Sequence, residues 1–239
     1  PRIDDTLDSL AGATYFCTTD LTAGYWQVPL AEESKPKTAF VHRTGLYQWR
    51  RKPFGVKEGP GRFSRMMSEH FKDMLFSKLL CFLDDVIVFG RTVDECLVRY
   101  REFCGKIREA NLRLKPSKCF LLQRKVSFLG HVVSSSGVEC DPEKIQAVRD
   151  WPAPKSRKQV RAFLGLINYY RRFIRDCAHI AKPLTTLTSI KVQFKWTEEC
   201  QMSFEALKQR LIEAPILGFP KEDQGGFWVD TDASDRGVG

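Results

Sequence analysis

The chain carries eight cysteines but no Cys-x-x-Cys pair, so the spacing that marks a zinc site or a redox dithiol is missing. Several of the eight, at positions 17, 81, 96, 104, 119, 140, 177 and 200, fall inside apolar runs. Small buried thiols fit that placement better than disulfides do. Reduced thiols in turn point to an intracellular setting, cytoplasmic or nuclear. No stretch of about 18 uninterrupted apolar residues occurs, and the N-terminus has no signal-peptide pattern, so no membrane partner is expected. His131 has no second His or Cys at ligand spacing, and a hydrogen-bonded structural role is expected for it rather than metal ligation. An initiating methionine is also lacking. The chain begins at Pro1 and stops at Gly239, just after an apparent strand, and reads as a fragment of something longer.

At 239 residues and 43% hydrophobic, the chain can bury a substantial core and is long enough for more than one compact unit. Lys plus Arg number 38 against 29 for Asp plus Glu, a net charge of +9. A field of that sign suits a polyanion such as nucleic acid, although a merely basic surface is common.

The stretch Leu79 to Phe89 reads Leu-Leu-Cys-Phe-Leu-Asp84-Asp85-Val-Ile-Val-Phe. Two apolar runs rich in β-branched and aromatic residues flank two carboxylates, the pattern of a tight hairpin with both acids at its tip. Asp-Asp is ordinary turn chemistry. The alternative is that the strands hold the acids at a cleft where a hard divalent cation screens their repulsion. A third carboxylate decides between these readings. Ala13 to Thr19 reads as a strand that delivers Asp20 at its end; Gly24 then permits a turn, and Trp26, Val28 and Leu30 resume a period of two. Asp20 is that third acid if its strand neighbours the hairpin in one sheet.

The other elements follow from pattern. Ile3 to Leu10 predicts a short helix. Runs flanking Arg43-Thr44-Gly45 predict a hairpin, and Cys96, Tyr100, Phe103, Cys104 and Ile107 recur at helical spacing within Val93 to Ala110. Val126 to Val133 predicts a second hairpin. Asp141-Pro142-Glu143 opens a helix that ends near Trp151-Pro152, and Ser156 with Gln159 forms a capping box for the next. That helix places Val160, Phe163, Leu164, Ile167 and Ile174 on one stripe beside Arg157, Lys158, Arg161, Arg171, Arg172 and Arg175. Thr197 caps a last helix carrying Phe204, Leu207 and Leu211.

In order and spacing, Phe16-Cys-Thr-Thr-Asp20-Leu-Thr-Ala-Gly-Tyr25-Trp-Gln-Val-Pro-Leu, Lys37-Thr-Ala-Phe40, Pro53-Phe-Gly-Val and Phe82-Leu-Asp84-Asp85-Val-Ile-Val-Phe resemble the motifs of a reverse transcriptase. They are most similar to those of gypsy-type LTR retrotransposons and their retroviral relatives. The resemblance implies an α+β fold with a right-hand polymerase palm, an antiparallel sheet with packing helices. It implies a palm with partial fingers over 1–136, a helical thumb over 137–190, and a connection with the truncated start of a ribonuclease H-like domain over 191–239. The implied activity is RNA-directed DNA polymerisation on an RNA or DNA template with a primer, drawing on deoxynucleoside triphosphates. Asp20, Asp84 and Asp85 would be catalytic, binding two Mg²⁺ ions, or Mn²⁺, with help from the Leu21 carbonyl. Tyr25, Phe54, Gly55, Lys115 and Lys118 would face the nucleotide, with Tyr25 a gate against a 2′-hydroxyl; for the two lysines a plain surface role is an equal reading. Phe128, Leu129 and Gly130 would form the primer grip, and Arg157, Lys158 and Arg161 would ride on the phosphates of a duplex. Asp232 would match the first acid of a ribonuclease H site whose remaining acids are expected beyond Gly239, so no ribonuclease H activity is expected of the sequence as it stands. A retroelement particle is then a further location.

The sequence departs from those relatives at Glu58-Gly-Pro-Gly-Arg62-Phe-Ser64, where two glycines and an arginine are expected to weaken a helix start, and at Phe82, where Tyr is usual. Relatives also carry finger residues before Pro1. The alternative function is a decayed or co-opted remnant that binds nucleic acid without catalysis.

Overall fold

The computed structural model describes residues 3–219, together with the backbone of residues 233–234 and 237–238. Helix α1 (Ile3–Asp8) leads into β1 (Tyr15–Asp20) and then α2 (Gly24–Gln27). The hairpin β2 (Phe40–His42) and β3 (Gly45–Tyr47) precedes α3 (Gly59–His70), and β4 (Leu79–Phe82) and β5 (Asp85–Gly90) precede α4 (Val93–Glu109). Four short strands follow, β6 (Phe120–Gln123), β7 (Lys125–Phe128), β8 (His131–Ser134) and β9 (Gly137–Cys140). Helices α5 (Pro142–Arg149), α6 (Arg157–Tyr169), α7 (Cys177–Leu187) and α8 (Glu198–Ile212) complete the body, and β10 (Ala233–Ser234) pairs with β11 (Gly237–Val238).

The organising layer is an antiparallel sheet of order β4-β5-β1-β6. Alternation along β1 and β5 buries it on both sides, as a period of two requires. Phe16, Ile87 and Phe89 face one core with Leu7, Leu10 and the helices after residue 140, while Cys17, Val86 and Val88 face a second core with Phe63, Met67, Phe71 and Phe103 of α3 and α4 and the loop after α3. Helix α4 is fixed by its Thr92 cap, which accepts from the Glu95 N–H at 3.2 Å. Acids in its first turn and bases in its last complement the helix dipole.

A second sheet, β7-β8-β9, carries the turn at Leu129 and Gly130. The 136/137 division falls in the turn between β8 and β9, so β9 stays with the sheet before it. The strand is held further by Leu217, which exchanges two 2.9 Å backbone hydrogen bonds with Val138. Beyond it α5 to α8 pack around Phe163, which lies 4.6 Å from the Phe204 ring and is wholly buried. Deleting a fully enclosed aromatic ring leaves a cavity, so Phe163→Ala is expected to cost about 3–5 kcal/mol. Denaturant unfolding followed by tryptophan fluorescence checks this.

Two local readings need correction, and a third segment is described beside them. Gly24–Gln27 is one helical turn rather than the start of an alternating strand, since the turn pins Trp26 N to Ala23 O at 2.8 Å. The apolar stripe of α6 ends at Tyr169, so Ile174 belongs to the following segment. The Glu58 to Ser64 departure still starts a regular helix: Pro60 sits in its first turn, Glu58 pairs with Arg62 at 3.0 Å, and the buried Lys52 ammonium donates to Gly59 O at 3.0 Å. Asp232 and most of the proposed strand before it lie outside the described residues.

Candidate active site

Strand β1 ends on Asp20, and its register with β5 sets Asp20 directly opposite Asp85. Like charges so placed repel. Asp84 adds a third charge from the two-residue loop between Phe82 and Asp85, where Leu83 takes φ 54°. A leucine in that left-handed region costs about 1–3 kcal/mol, the kind of strain that persists where surrounding structure enforces it.

Burial, and then Asp20, raise the Asp84 and Asp85 carboxyls above the ordinary carboxylate range; Asp85 adds to the shift at Asp84, and Lys118 opposes it at both. The Lys118 ammonium is 2.5 Å from Asp20 Oδ2, and this partner raises its own pKa. The 3-10 turn Pro116–Lys118 delivers it, held where the Lys115 N–H donates to Asp20 O at 2.9 Å. The Lys115 side chain has no partner at the site and is exposed.

As the side chains stand, the three carboxylates do not converge on one point. Among the described residues no group of three or more acidic, histidine or cysteine side chains is arranged to hold an ion. Two contacts account for this: Lys118 engages Asp20, and Asp84 is turned under α2, where its Oδ1 is buried without a hydrogen-bond partner. That orphaned oxygen and the ammonium already seated on Asp20 both mark a place where positive charge is stabilising. The donor set is all oxygen, which fits a hard divalent cation.

Gly24 is the contact that makes room. A Cβ there would stand 3.0 Å from both Asp84 Cγ and the Phe63 ring, and closer still to Oδ1. Sequence reading took Gly24 only as a turn residue; nothing in its local pattern announces a carboxylate 60 residues away. Tyr25 follows it, packed edge-on against Phe54 and Phe63 at 5.3 Å each. Burial and the nearby Asp84 charge raise its hydroxyl pKa. Leu21 is buried and bridged to Leu114, while Phe54 and Gly55 are exposed beside Tyr25.

In front of Asp20 and Asp85 a cavity of about 480 Å³ runs past Lys118 and Phe120 to Lys125, Val126 and Ser127. Strand β7 then leads to the turn at Leu129 (φ 48°) and Gly130 (φ 65°). Its carbonyls are tied down: Tyr169 Oη donates to Leu129 O at 2.6 Å and Tyr170 Oη to Gly130 O at 2.5 Å. These tyrosines were not foreseen, because adjacent tyrosines at a helix end carry no distinctive spacing. His131 donates from Nδ1 to Leu129 O at 2.8 Å within a cage of Tyr169, Tyr170 and Phe173, the structural role expected of it. Phe128 is buried beneath the turn.

The basic residues of α6 are differently disposed. Arg157 donates to Val192 O and Arg161 to Thr188 O at 2.7 Å, so both fasten the segment after α7. Lys158 alone of the three is exposed without a partner among the described residues.

An antiparallel sheet with carboxylates at adjoining strand ends is thus backed by two helices and followed by a three-stranded sheet and a helical unit. Residues 1–133 match the family model described as reverse transcriptase (RNA-dependent DNA polymerase), and residues 196–239 match the RNase H-like domain found in reverse transcriptase. The chain belongs to the reverse transcriptase family. It is 39% identical along its whole length to the retrovirus-related Pol polyprotein of transposon 412 and 33% identical to that of transposon gypsy, both from Drosophila melanogaster, and 30% identical to a Tf2 polyprotein of Schizosaccharomyces pombe. It spans 19%, 24% and 18% of those proteins respectively. Among solved structures, the foamy viral protease-reverse transcriptase dRH in complex with double-stranded DNA aligns over 93% of this chain and 39% of its own, with a TM-score of 0.84 and 26% identity. The complex of that enzyme with an RNA/DNA hybrid aligns over 91% of this chain and 30% of its own, with a TM-score of 0.79 and 26% identity. No helix among the described residues is long and apolar enough to cross a membrane.

Proposed function

We propose that this chain is the polymerising segment of a retroelement Pol protein, adding deoxynucleotides to a primer on an RNA or DNA template by phosphoryl transfer. The observation that carries the reading is the register of Asp20 against Asp85 with Asp84 in the adjoining turn. Asp20, Asp84 and Asp85, with the Leu21 carbonyl, would hold two Mg²⁺ ions, or Mn²⁺. When bound, such ions stabilise the charge on the attacking and leaving oxygens.

The remaining work falls to the chain itself and is mostly positioning, since phosphoryl transfer needs no protein nucleophile. The primer end occupies the cavity between Asp20 and Ser127, seated by the turn of Leu129 and Gly130. Lys118, exchanging Asp20 for the triphosphate, offsets the charge of the departing pyrophosphate. Lys158 meets duplex phosphates, whereas Arg157 and Arg161 brace the thumb. Tyr25, wedged between Phe54 and Phe63, closes the space beside the sugar. On this reading Tyr25→Val raises use of ribonucleotides relative to deoxynucleotides by about 10- to 200-fold, the range a pocket gains from a small change in fit. Competition between the two nucleotide types in primer extension measures it, and an unchanged ratio removes Tyr25 from the role of gate.

The function itself is tested by extending a DNA primer on an RNA template with the full chain in Mg²⁺ and deoxynucleotides. Products longer by one nucleotide or more support it; a bound but unextended duplex overturns it. The alternative of a remnant that binds without catalysis rested on Glu58 to Ser64. Those residues begin a helix whose Glu58 cap makes no side-chain hydrogen bond, and duplex binding without extension is the result that would favour this alternative.

A further inference from the structure

The Gln27 side chain takes the place of a neighbouring strand. Its Nε2 donates to Thr22 O at 2.7 Å and to Arg113 O at 2.9 Å, and its Oε1 accepts from the Arg113 N–H at 2.6 Å. Engaging both backbone groups of one residue is what a paired residue does in an antiparallel ladder. Here a primary amide does it across 86 residues of sequence. Both amide hydrogens and the amide oxygen are used, and the partners allow one orientation, since the reverse would set Oε1 against two carbonyl oxygens.

Arg113 belongs to the segment that carries the lysine of the site. Between Asn111 and Cys119 the chain forms no helix or strand other than the 3-10 turn Pro116–Lys118, so hydrogen bonds to the junction of β1 and α2 hold it in place. The Thr22 N–H donates to Arg113 O at 3.0 Å and the Lys115 N–H to Asp20 O at 2.9 Å, with Leu21 bridged to Leu114 between them. Gln27 supplies two more, as many as the backbone does. Further along the same segment, Lys118 stands 2.5 Å from Asp20 Oδ2. The other side of Gln27 is tied as well: Arg51 Nη1 donates to its carbonyl at 2.6 Å, and Gly24 and Tyr25 share its helical turn. One residue thus fastens the Lys118 segment to the turn that places Tyr25 and lies against Asp84.

We propose that Gln27 is a positioning residue for nucleotide addition: its amide clasps Arg113 and so holds Lys118 where it meets Asp20 and, in turn, the triphosphate. The part played by Lys118 rests on the polymerase reading, whereas the clasp rests on the hydrogen bonds alone. Gln27 acts through the segment it holds rather than on the reacting atoms. An amide of this length suits all three contacts. Glu in its place offers an acceptor for the Arg113 N–H but no donor, and sets a charge against two carbonyl oxygens. Met keeps the length and offers no donor and only a weak acceptor.

The test uses the full chain, with Mg²⁺, primer, template and deoxynucleotide for single-turnover incorporation, and metal-free protein for amide hydrogen exchange over residues 111–118. Gln27→Met should lower the maximal incorporation rate about 10- to 100-fold, the scale of loss when a reacting group is displaced by about 1 Å, with affinity for primer and template within about twofold of wild type. In the metal-free chain the Arg113 amide should exchange about 5- to 100-fold faster, its acceptor gone. Gln27→Glu should not recover the rate. The decisive comparison is the double variant with Lys118→Ala. Two residues acting through one lysine lose no more together than the worse of them alone, whereas a merely structural brace gives losses that multiply. Multiplied losses, a wild-type rate in Gln27→Glu, or unaltered exchange at Arg113 in variants folded by circular dichroism would each overturn the proposal. A wild-type chain that binds primer and template without extending them overturns the role in nucleotide addition along with the polymerase reading, while exchange at Arg113 reports on the clasp separately.

Discussion

Asp84→Asn is expected to lower single-nucleotide incorporation on the order of 10³-fold while leaving the folded chain as stable as the wild type or more so. The activity loss follows from removing one carboxylate of the proposed metal set, worth several kcal/mol in the transition state, at 1.36 kcal/mol for each tenfold in rate. The stability result has a separate origin. Burial and the charges of Asp20 and Asp85 disfavour ionised Asp84, and its buried Oδ1 has no partner. A neutral amide removes that repulsion. The sign can be checked by pH. An acid whose folded pKa is raised binds more protons folded than unfolded between the two values, so stability falls as pH rises through that window. In metal-free buffer the wild type should therefore gain stability on mild acidification, with a smaller gain in Asp84→Asn. Thermal melts of both proteins across the acidic range decide it: a variant less stable than wild type at neutral pH would show that Asp84 holds the hairpin together instead.

The second large effect falls on a residue with no functional group. Gly24→Ala places a methyl within 3.0 Å of Asp84 Cγ and of the Phe63 ring. Either the Leu83–Asp84 turn shifts or α2 lifts, and both move Asp84 or Tyr25. Overpacking of this kind costs about 1–3 kcal/mol, and displacement of a reacting group by about 1 Å can cost 10²-fold in rate. Gly24→Ala is accordingly expected to lose at least about 100-fold in incorporation with a clear drop in melting temperature. Loss of rate without loss of stability would place the strain in the active state alone; near-normal rate would mean that Asp84 does not need its position under Gly24. The pair of variants separates two properties of one carboxylate, its charge and its location.

What was legible in the sequence was the part set by local pattern. The apolar runs around Asp84 and Asp85 gave the hairpin because β-branched residues alternate between two cores, and Asp20 lay at the end of a strand whose neighbour was the right one. Caps at Asp141, Ser156 and Thr197 all accept the hydrogen bonds their positions imply. What was not legible was long-range. Arg157 and Arg161 look like a phosphate-binding face on a helical wheel, but the carbonyls of Val192 and Thr188 reach them only through the packing of α7. The Lys118 to Asp20 contact spans 98 residues, and no periodicity encodes it. The two-residue alternation of Trp26, Val28 and Leu30 gave way to a helical turn over Gly24–Gln27, which lays Gly24 against Asp84.

The account turns on whether these carboxylates gather cations when substrate is present. The most direct measurement is Mn²⁺ binding by electron paramagnetic resonance, using the full chain with primer, template and a non-hydrolysable deoxynucleotide analogue. Two bound ions per chain are expected, with at least one lost in Asp20→Asn and in Asp84→Asn. Binding of primer and template with no Mn²⁺ above the level of the Asp20→Asn, Asp84→Asn double variant would contradict the proposed metal site, and with it the polymerase function assigned to this chain.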